Sequence, residues 1–485
     1  MLQLTKSLLK RHFNLTIDLP DDRLCPPVPN RLNYLLFIDS LLRSSTPLTI
    51  PKSYSGTSNA TGASEPEPKV SLEPSSSTQD VTDVTDAPTA NVEANGVTEI
   101  ETKDTSEPSP NGRYLIEVAT QSIEVHIDAN SPPSLATSNP LPILGLDIGT
   151  GASAIYPLLG CLSNPTWSFL ATEIDPKSLL YARQNILVNG LEDRIMLIET
   201  DANVSLIPLG VPGVTAERLD FVMCNPPFYG SVGEMERGRE GKGKPPGTVC
   251  TGSKNEMITA GGEVAFISRI INESLVLREK VQWYTSMVGK LSSLVPLIER
   301  LKKEGCVNWA VSELVQGSKT RRWVLAWSWT DWRPSMEVAR GVGAGALEKK
   351  YLPFPSEYSV VLEDEDAEKV GKRLGLAMKE LKWSWTWAAG TGEGVGFSEG
   401  DVWSRSARRK MKDKVEVETE KKDIHTLEVK FSVRITVKAV HERTEVMVRW
   451  LKGEDSVLFE SFCGMVKRTV EGAPKVKRKA DDITS

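Results

Sequence analysis

"LPILGLDIGTGASAIYPLLGC", residues 141–161, runs from a short apolar strand through a Gly-rich turn into an apolar helix. Glycines in such a turn let the backbone approach a ligand closely, and the helix start behind them offers free N–H groups. Working outward, "WSFLATEID" (167–175) reads as a second strand and "PKSLLYARQNILVNG" (176–190) as a helix ending in Asn-Gly. "RIMLIETD" (194–201) and "LDFVMCNPP" (219–227) read as a third and a fourth strand. Strands alternating with helices predict a doubly wound, mainly parallel α/β sheet, with a ligand lying across the carboxyl ends of its strands. A helix over 263–280, a strand over 281–287, a helix over 295–304 and strands near 307–316 and 323–329 continue the pattern, which closes near Arg333.

Upstream, "RLCPPVPNRLNYLLFIDSLLR" (23–43) starts as a Pro-rich turn and becomes a helix with Leu32, Leu35, Leu36 and Leu42 on its apolar side. The basic, amphipathic start, 1–15, has apolar Leu4, Leu8, Leu9 and Phe13 at helical spacing; a first helix of the folded domain and a transit peptide both share that pattern. Residues 44–111 are rich in Ser, Thr, Pro, Asp and Glu and poor in large apolar side chains, so they cannot bury enough surface to offset their ordering entropy. We expect an acidic, disordered insertion there, followed by a strand pair at 113–128.

Downstream, the expected order is the sheet domain over 112–333, a Gly/Ala linker over 334–350 and a smaller α+β domain over 351–470. A strongly basic interruption, 401–423, breaks the last of these; a solvated charged helix and an RNA-backbone contact are equally compatible with it. Trp383, Trp385 and Trp387 alternate along one strand, a spacing that fits a packed core better than base stacking. The tail, 471–485, carries "PKVKRKADD", a pattern of nuclear import signals.

With 485 residues, 40% of them hydrophobic and 25% charged, the chain has the composition of an ordinary soluble protein of two or three domains. Its formal charge of -6 argues against a uniformly basic nucleic-acid binder, but the acidic insertion masks basic surface elsewhere. Six scattered cysteines without a CxxC pair point to a reducing compartment, and four isolated histidines give no metal-site spacing. No apolar run reaches the roughly 20 residues of a membrane helix.

Asp147, Gly149 and Gly151 in the turn, with Glu173 ending the second strand where an acid can hydrogen-bond ribose hydroxyls, predict a nucleotide-type ligand. The fourth strand ends in Asn225-Pro226-Pro227-Phe228. An exocyclic amine conjugated to a ring is a poor nucleophile because its lone pair is delocalised. The Asn225 side-chain oxygen and the Pro226 carbonyl offer two acceptors for its two protons, which turns the lone pair toward a methyl donor. The rigid Pro-Pro pair preorganises those acceptors, and Phe228 offers a ring on which a flipped-out base can stack. A planar base and a glutamine amide both remain compatible with the motif taken alone.

Beyond the motif, "VPNRLNYLLFIDSLL", "LDIGTGASAIYPLLG", "FLATEID", "CNPPF", "GGEVAFISRIINESL", "WYTSMVGKLSSL" and "RRWVLAWSW" resemble, in order, one family of Rossmann-like class I S-adenosylmethionine-dependent enzymes. It is the family of RNA adenine N6-methyltransferases acting on U6 small nuclear RNA, related to bacterial enzymes of large-subunit ribosomal RNA. The resemblance covers most of 1–43, the helical N-terminal part, and 141–330. It implies S-adenosylmethionine as cofactor, structured RNA instead of DNA as partner, a nuclear location and no membrane association. It places Arg31 on the cofactor's carboxylate, Gly149 on the Gly-rich loop contact, Glu173 on the ribose, and Asn225 to Phe228 in catalysis. Asp201 is expected at the adenine ring. The family's N-terminal segment is longer, which implies either a differently organised RNA groove or a start further in. Either Arg321 or Arg322 takes the RNA-contacting role that the family places before "WVLAW". The Gly-rich basic loop 236–247 is a second candidate RNA surface. A protein glutamine N5-methyltransferase, with Tyr in place of Phe228, and an RNA-binding protein that senses the cofactor are the competing readings.

Overall fold

The computed structural model describes residues 2–46, 142–240, 253–316, 320–414 and 429–472. The predicted insertion beyond Thr46, the strand pair at 113–128, the 241–247 part of the basic loop and the tail beyond Gly472 lie outside the described residues.

Helix α1 (Leu2–Phe13) buries Leu9 completely, half-buries Leu8 and Phe13 and leaves Leu4 exposed, so its apolar face is narrower than the sequence predicts. Helix α2 (Val28–Ser44) follows the Pro-rich turn and buries ten of its residues. It runs past the expected boundary at 43, because Ser45 is itself buried: its Oγ donates to the Leu41 carbonyl and accepts from the Trp283 indole at 2.8 Å.

Strand β1 (Ile143–Ile148), helix α3 (Ile155–Ser163), strand β2 (Trp167–Glu173), helix α4 (Pro176–Val188), strand β3 (Ile195–Glu199) and strand β4 (Leu219–Cys224) form the predicted alternation. Asp175 caps α4 through the Ser178 N–H, with Pro176 in the first turn where a missing donor costs nothing. Two short helices, α5 (Val232–Glu240) and α6 (Lys254–Met257), precede α7 (Gly262–Leu277). Strand β5 (Val281–Val288), helix α8 (Leu291–Lys303) and strands β6 (Asn308–Gln316) and β7 (Thr320–Ser328) follow.

The sheet order is β3-β2-β1-β4-β5-β7-β6, parallel from β3 to β5, with β7 and β6 reversed. One apolar core packs α1 to α4 on one face, and a second packs α7 and α8 on the other. This is the Rossmann-like, doubly wound arrangement. Its strand order reverses between β1 and β4, and the crevice for a ligand opens at their carboxyl ends. Gly145 in β1 permits that packing: a Cβ there would stand 2.2 Å from the Phe221 ring.

The stretch expected as a linker, 334–350, instead joins this sheet. Helix α9 (Met336–Ala339) leads into β8 (Arg340–Gly341), which pairs with β6, and Leu347 is buried in the second core.

A second sheet follows, made of β9 (Glu357–Glu363), α10 (Ala367–Lys379), β10 (Ser384–Ala388), β11 (Glu393–Ser398), α11 (Arg405–Lys414), β12 (Phe431–Val440), β13 (Arg443–Lys452) and α12 (Ser456–Glu471). It is antiparallel throughout, in the order β10-β11-β12-β13-β9. The sequence reading lacks β11, because "EGVGFS" carries too many glycines to read as a strand. Those glycines make room for the tryptophans: a Cβ at Gly394 or Gly396 would stand 2.3 Å from the Trp385 or Trp383 ring. Trp383 and Trp385 stack at 5.3 Å, Trp385 and Trp387 at 6.0 Å, and Trp387 packs over Gly371 and Gly375 of α10, which makes the stripe core. Of the basic interruption, Arg405–Lys414 is helical, with Arg405, Arg408, Arg409 and Lys410 exposed. No helix among the described residues is long and apolar enough to cross a membrane.

Candidate active site

The carboxyl ends of β1, β2 and β4 open onto a cavity of about 320 Å³. Arg31, Gly149, Gly151, Glu173, Asp201, Asn225 and Pro227 all line it. The structure thus brings together residues from five separate stretches of the sequence. Gly149 (φ 71°) and Gly151 (φ 66°) both adopt the left-handed backbone that favours glycine, in the turn after β1 that lines the cavity.

Arg31 Nε and Asn225 Oδ1 are buried at this cavity without a hydrogen-bond partner; Asp147, just behind the lining, and the Thr150 hydroxyl have only each other to interact with. Unmet groups of this kind are rare in folded interiors because each costs the full desolvation of the atom. Their concentration around one cavity marks a ligand site.

Arg31 sits in the first turn of α2, 5% exposed. Its Nη1 donates to the Tyr156 hydroxyl at 2.7 Å, and its guanidinium lies 5.1 Å from the Tyr156 ring centroid. A surface arginine is excluded. Asp147, at the end of β1, is pushed up to about 7 by burial, against the opposing pull of the Thr150 hydroxyl and then of the Arg31 charge. Glu173 is also raised by burial, opposed by the backbone N–H groups of Asp175, Gly151 and Ile174 that its carboxylate accepts. Those three bonds fix the carboxylate and leave lone pairs for further donors. Asp201 lies past the end of β3, exposed, with Oδ1 accepting from the Asn203 N–H at 2.8 Å.

The end of β4 is held from below. The Cys224 N–H donates to Tyr34 Oη, which is 2.7 Å from Thr285 Oγ1, and that hydroxyl donates to the Val222 carbonyl. Pro226 is buried, while Phe228 stands outside the cavity lining. A Cβ at Gly289 would come within 2.6 Å of the Phe228 ring. The buried Glu263 carboxylate pins that glycine, accepting from the Gly289 and Lys290 N–H groups and the Ser293 hydroxyl. Over the ring lies the Arg322 guanidinium, 5.3 Å from its centroid, whereas Arg321 pairs with Glu313 at 2.7 Å.

Sequence reasoning missed Tyr156, Thr150 and Glu256, all of which line the cavity. Tyr156 lies inside the quoted "GASAIYPLLG", but nothing in its spacing announces an arginine partner from α2.

A family model described as RNA methyltransferase matches residues 1–87 and 130–331. The chain belongs to this family. It is 34% identical over 335 residues to the U6 small nuclear RNA (adenine-(43)-N(6))-methyltransferase of Schizosaccharomyces pombe, covering 69% of this chain and 80% of that protein. Similarity to the RNA N(6)-adenosine-methyltransferase METTL16 of Mus musculus is 42% over 189 residues, covering 39% of this chain but only 34% of that relative. A crystal structure of the human METTL16 catalytic domain in complex with MAT2A 3′UTR hairpin 1 aligns at 30% identity and a TM-score of 0.44, over 68% of this chain and 79% of that one. The RNA methyltransferase family agrees with the resemblance carried by the seven sequence blocks.

Proposed function

We propose that this RNA methyltransferase transfers a methyl group from S-adenosylmethionine to the 6-amino group of an adenosine in U6 small nuclear RNA. The observation that carries the reading is the Asn225 Oδ1: buried, without a partner, and set in the cavity lining beside Pro226. An acceptor in that state is prepared for a donor that the protein itself lacks.

The other polar groups around the cavity fit the cofactor. Arg31 would hold its carboxylate through the unpartnered Nε edge, Asp147 its ammonium group, and Glu173 its ribose hydroxyls, with Asp201 at the adenine end. When bound, S-adenosylmethionine supplies an electrophilic methyl group on sulfur. Asn225 Oδ1 and the Pro226 carbonyl accept the two amino protons of the base and turn the nitrogen lone pair into the cavity. Phe228, seated on Gly289, gives the base a ring to lie against, and Arg322 beside it supplies positive charge for the RNA backbone. The name of the Schizosaccharomyces pombe relative supports U6 small nuclear RNA as substrate. That substrate and the basic "PKVKRKADD" tail support a nuclear location.

The test is transfer of label from S-adenosylmethionine to a U6 transcript or to a protein extract by the full chain. N6-methyladenosine in digested RNA, reduced at least about 100-fold by Asn225→Ala with cofactor binding retained, is the expected result. Label entering glutamine in protein, with none in RNA, would overturn the reading. Removal of residues 471–485 should abolish nuclear accumulation.

A further inference from the structure

The cavity mouth is closed on one side by two segments far apart in sequence. Leu24 and Pro26 come from the turn before α2, and Ser253, Glu256, Ile258 and Thr259 from the strap that contains α6. The first segment is anchored from behind: Arg23, buried, pairs with Asp175 at 2.7 Å and donates to Ser178 Oγ. The strap is anchored at its far end, where the Tyr229 N–H donates to the Met257 carbonyl and the Thr259 N–H to the Tyr229 carbonyl.

The Glu256 side chain reaches from one to the other. Glu256 Oε2 accepts from the Ser253 N–H at 2.7 Å and from the Leu24 N–H at 3.3 Å, so a single carboxylate folds its own strap and fastens it to the opposite wall. The same carboxylate reaches the Gly-rich turn: a Cβ on Gly151 would lie 3.7 Å from Glu256 Oε1. Gly151 donates in turn to Glu173, so both carboxylates lie against the turn.

We propose that Glu256 is a cofactor-positioning residue, a latch that joins the strap to Leu24 across the cavity mouth and sets how fast the cofactor leaves. This rests on the reading that the cavity takes S-adenosylmethionine. A ligand enclosed by the latched strap can depart only after the Glu256–Leu24 contact opens, so loss of the latch acts on dissociation and little on encounter.

The test measures S-adenosylhomocysteine binding to the full chain by stopped-flow fluorescence, for the wild type, Glu256→Ala and Glu256→Gln. Glu256→Ala should raise the dissociation rate about tenfold, the value of one lost charge-assisted bond, with the association rate nearly unchanged. Glu256→Gln keeps one acceptor oxygen and should lie between the two; if the alanine variant does not fold, a rise of at least about twofold for glutamine sustains the proposal. Unchanged dissociation, or weakening confined to association, overturns the latch while leaving the cofactor reading intact. A wild type that binds no S-adenosylhomocysteine overturns both.

Discussion

Arg31 and Arg333 are the same residue type at nearly the same burial, 5% and 4% exposed, yet their surroundings differ in one respect. Arg333 joins the two sheets. Its Nε donates to the Gly453 carbonyl at 2.7 Å, its Nη1 to the Val307 carbonyl, and its guanidinium stacks 3.7 Å from the Trp450 ring centroid. Burial pushes its pKa down to about 10, so it remains charged at neutral pH. Arg31 has Tyr156 on one side, an unpartnered Nε, and nearby the buried Asp147 carboxylate, whose opposing influences are the Thr150 hydroxyl and the Arg31 charge. A satisfied buried arginine is structure; an unsatisfied one beside a cavity is a binding group waiting for its anion.

The comparison breaks first at Arg333. Arg333→Ala strands two carbonyls and removes the cation from Trp450, and should cost about 3–5 kcal/mol of stability, read as a large fall in melting temperature. A variant that melts like the wild type would show that the joint between the sheets is held by other contacts, of which Asp331–Lys452 at 2.5 Å is the strongest candidate. Arg31→Ala should do the reverse. It removes a group whose Nε edge has no protein partner, so cofactor affinity should fall about 100-fold by calorimetry, while the ligand-free protein loses only the bond to the Tyr156 hydroxyl, about 1 kcal/mol, and its melting temperature falls far less than that of Arg333→Ala. Equal losses of stability in both variants would erase the distinction.

Much of this contrast was legible in the sequence on the Arg31 side and none of it on the Arg333 side. The Gly-rich turn, Glu173 and Asn225-Pro226-Pro227-Phe228 follow strands whose apolar runs are unambiguous, so period and punctuation place them at strand ends. Arg31 was reached only through the resemblance, because one arginine in an amphipathic helix carries no local mark of its burial. Arg333 closes the predicted domain, yet its partners Trp450 and Gly453 lie as far as 120 residues downstream, in β13 and the turn after it, a distance across which spacing carries no information. Strand β11 was hidden for a different reason. Its glycines answer to tryptophan rings on the neighbouring strand, a requirement of packing that opposes strand propensity. Glu256 was hidden too. "SKNE" signals a helix start, but the contact to Leu24 joins segments that only the fold brings together.

Asp147 sharpens the meaning of an unmet group by titration. Its pKa rises from 3.8 in the unfolded chain to about 7 in the fold, so its ionisation costs the ligand-free protein stability as pH climbs through that window. Asp147→Asn removes the cost, and above pH 7 the ligand-free variant should melt higher than the wild type. The wild-type carboxylate must be ionised to hold an ammonium group. Affinity for S-adenosylhomocysteine should therefore fall by up to about tenfold per pH unit below 7, and Asp147→Asn should flatten that profile. A profile that is flat in the wild type would take the ammonium away from Asp147.

The smallest expected effect separates the neighbours Arg321 and Arg322, which the sequence left undecided. Arg321 spends its charge on Glu313, whose side chain is almost buried, so its removal changes the field at the surface little. Arg322 donates to the Arg321 carbonyl and lies over Phe228, with no carboxylate partner among the described residues. It is the one of the pair with a free charge beside the proposed base platform. Arg322→Ala should weaken U6 RNA binding about fivefold and lower the salt slope by about one, while Arg321→Ala should leave both near the wild type. If Arg321→Ala weakens RNA binding as much, the Glu313 pair opens on contact with RNA, and the contrast between satisfied and unsatisfied arginines holds for buried sites but not for this exposed strand.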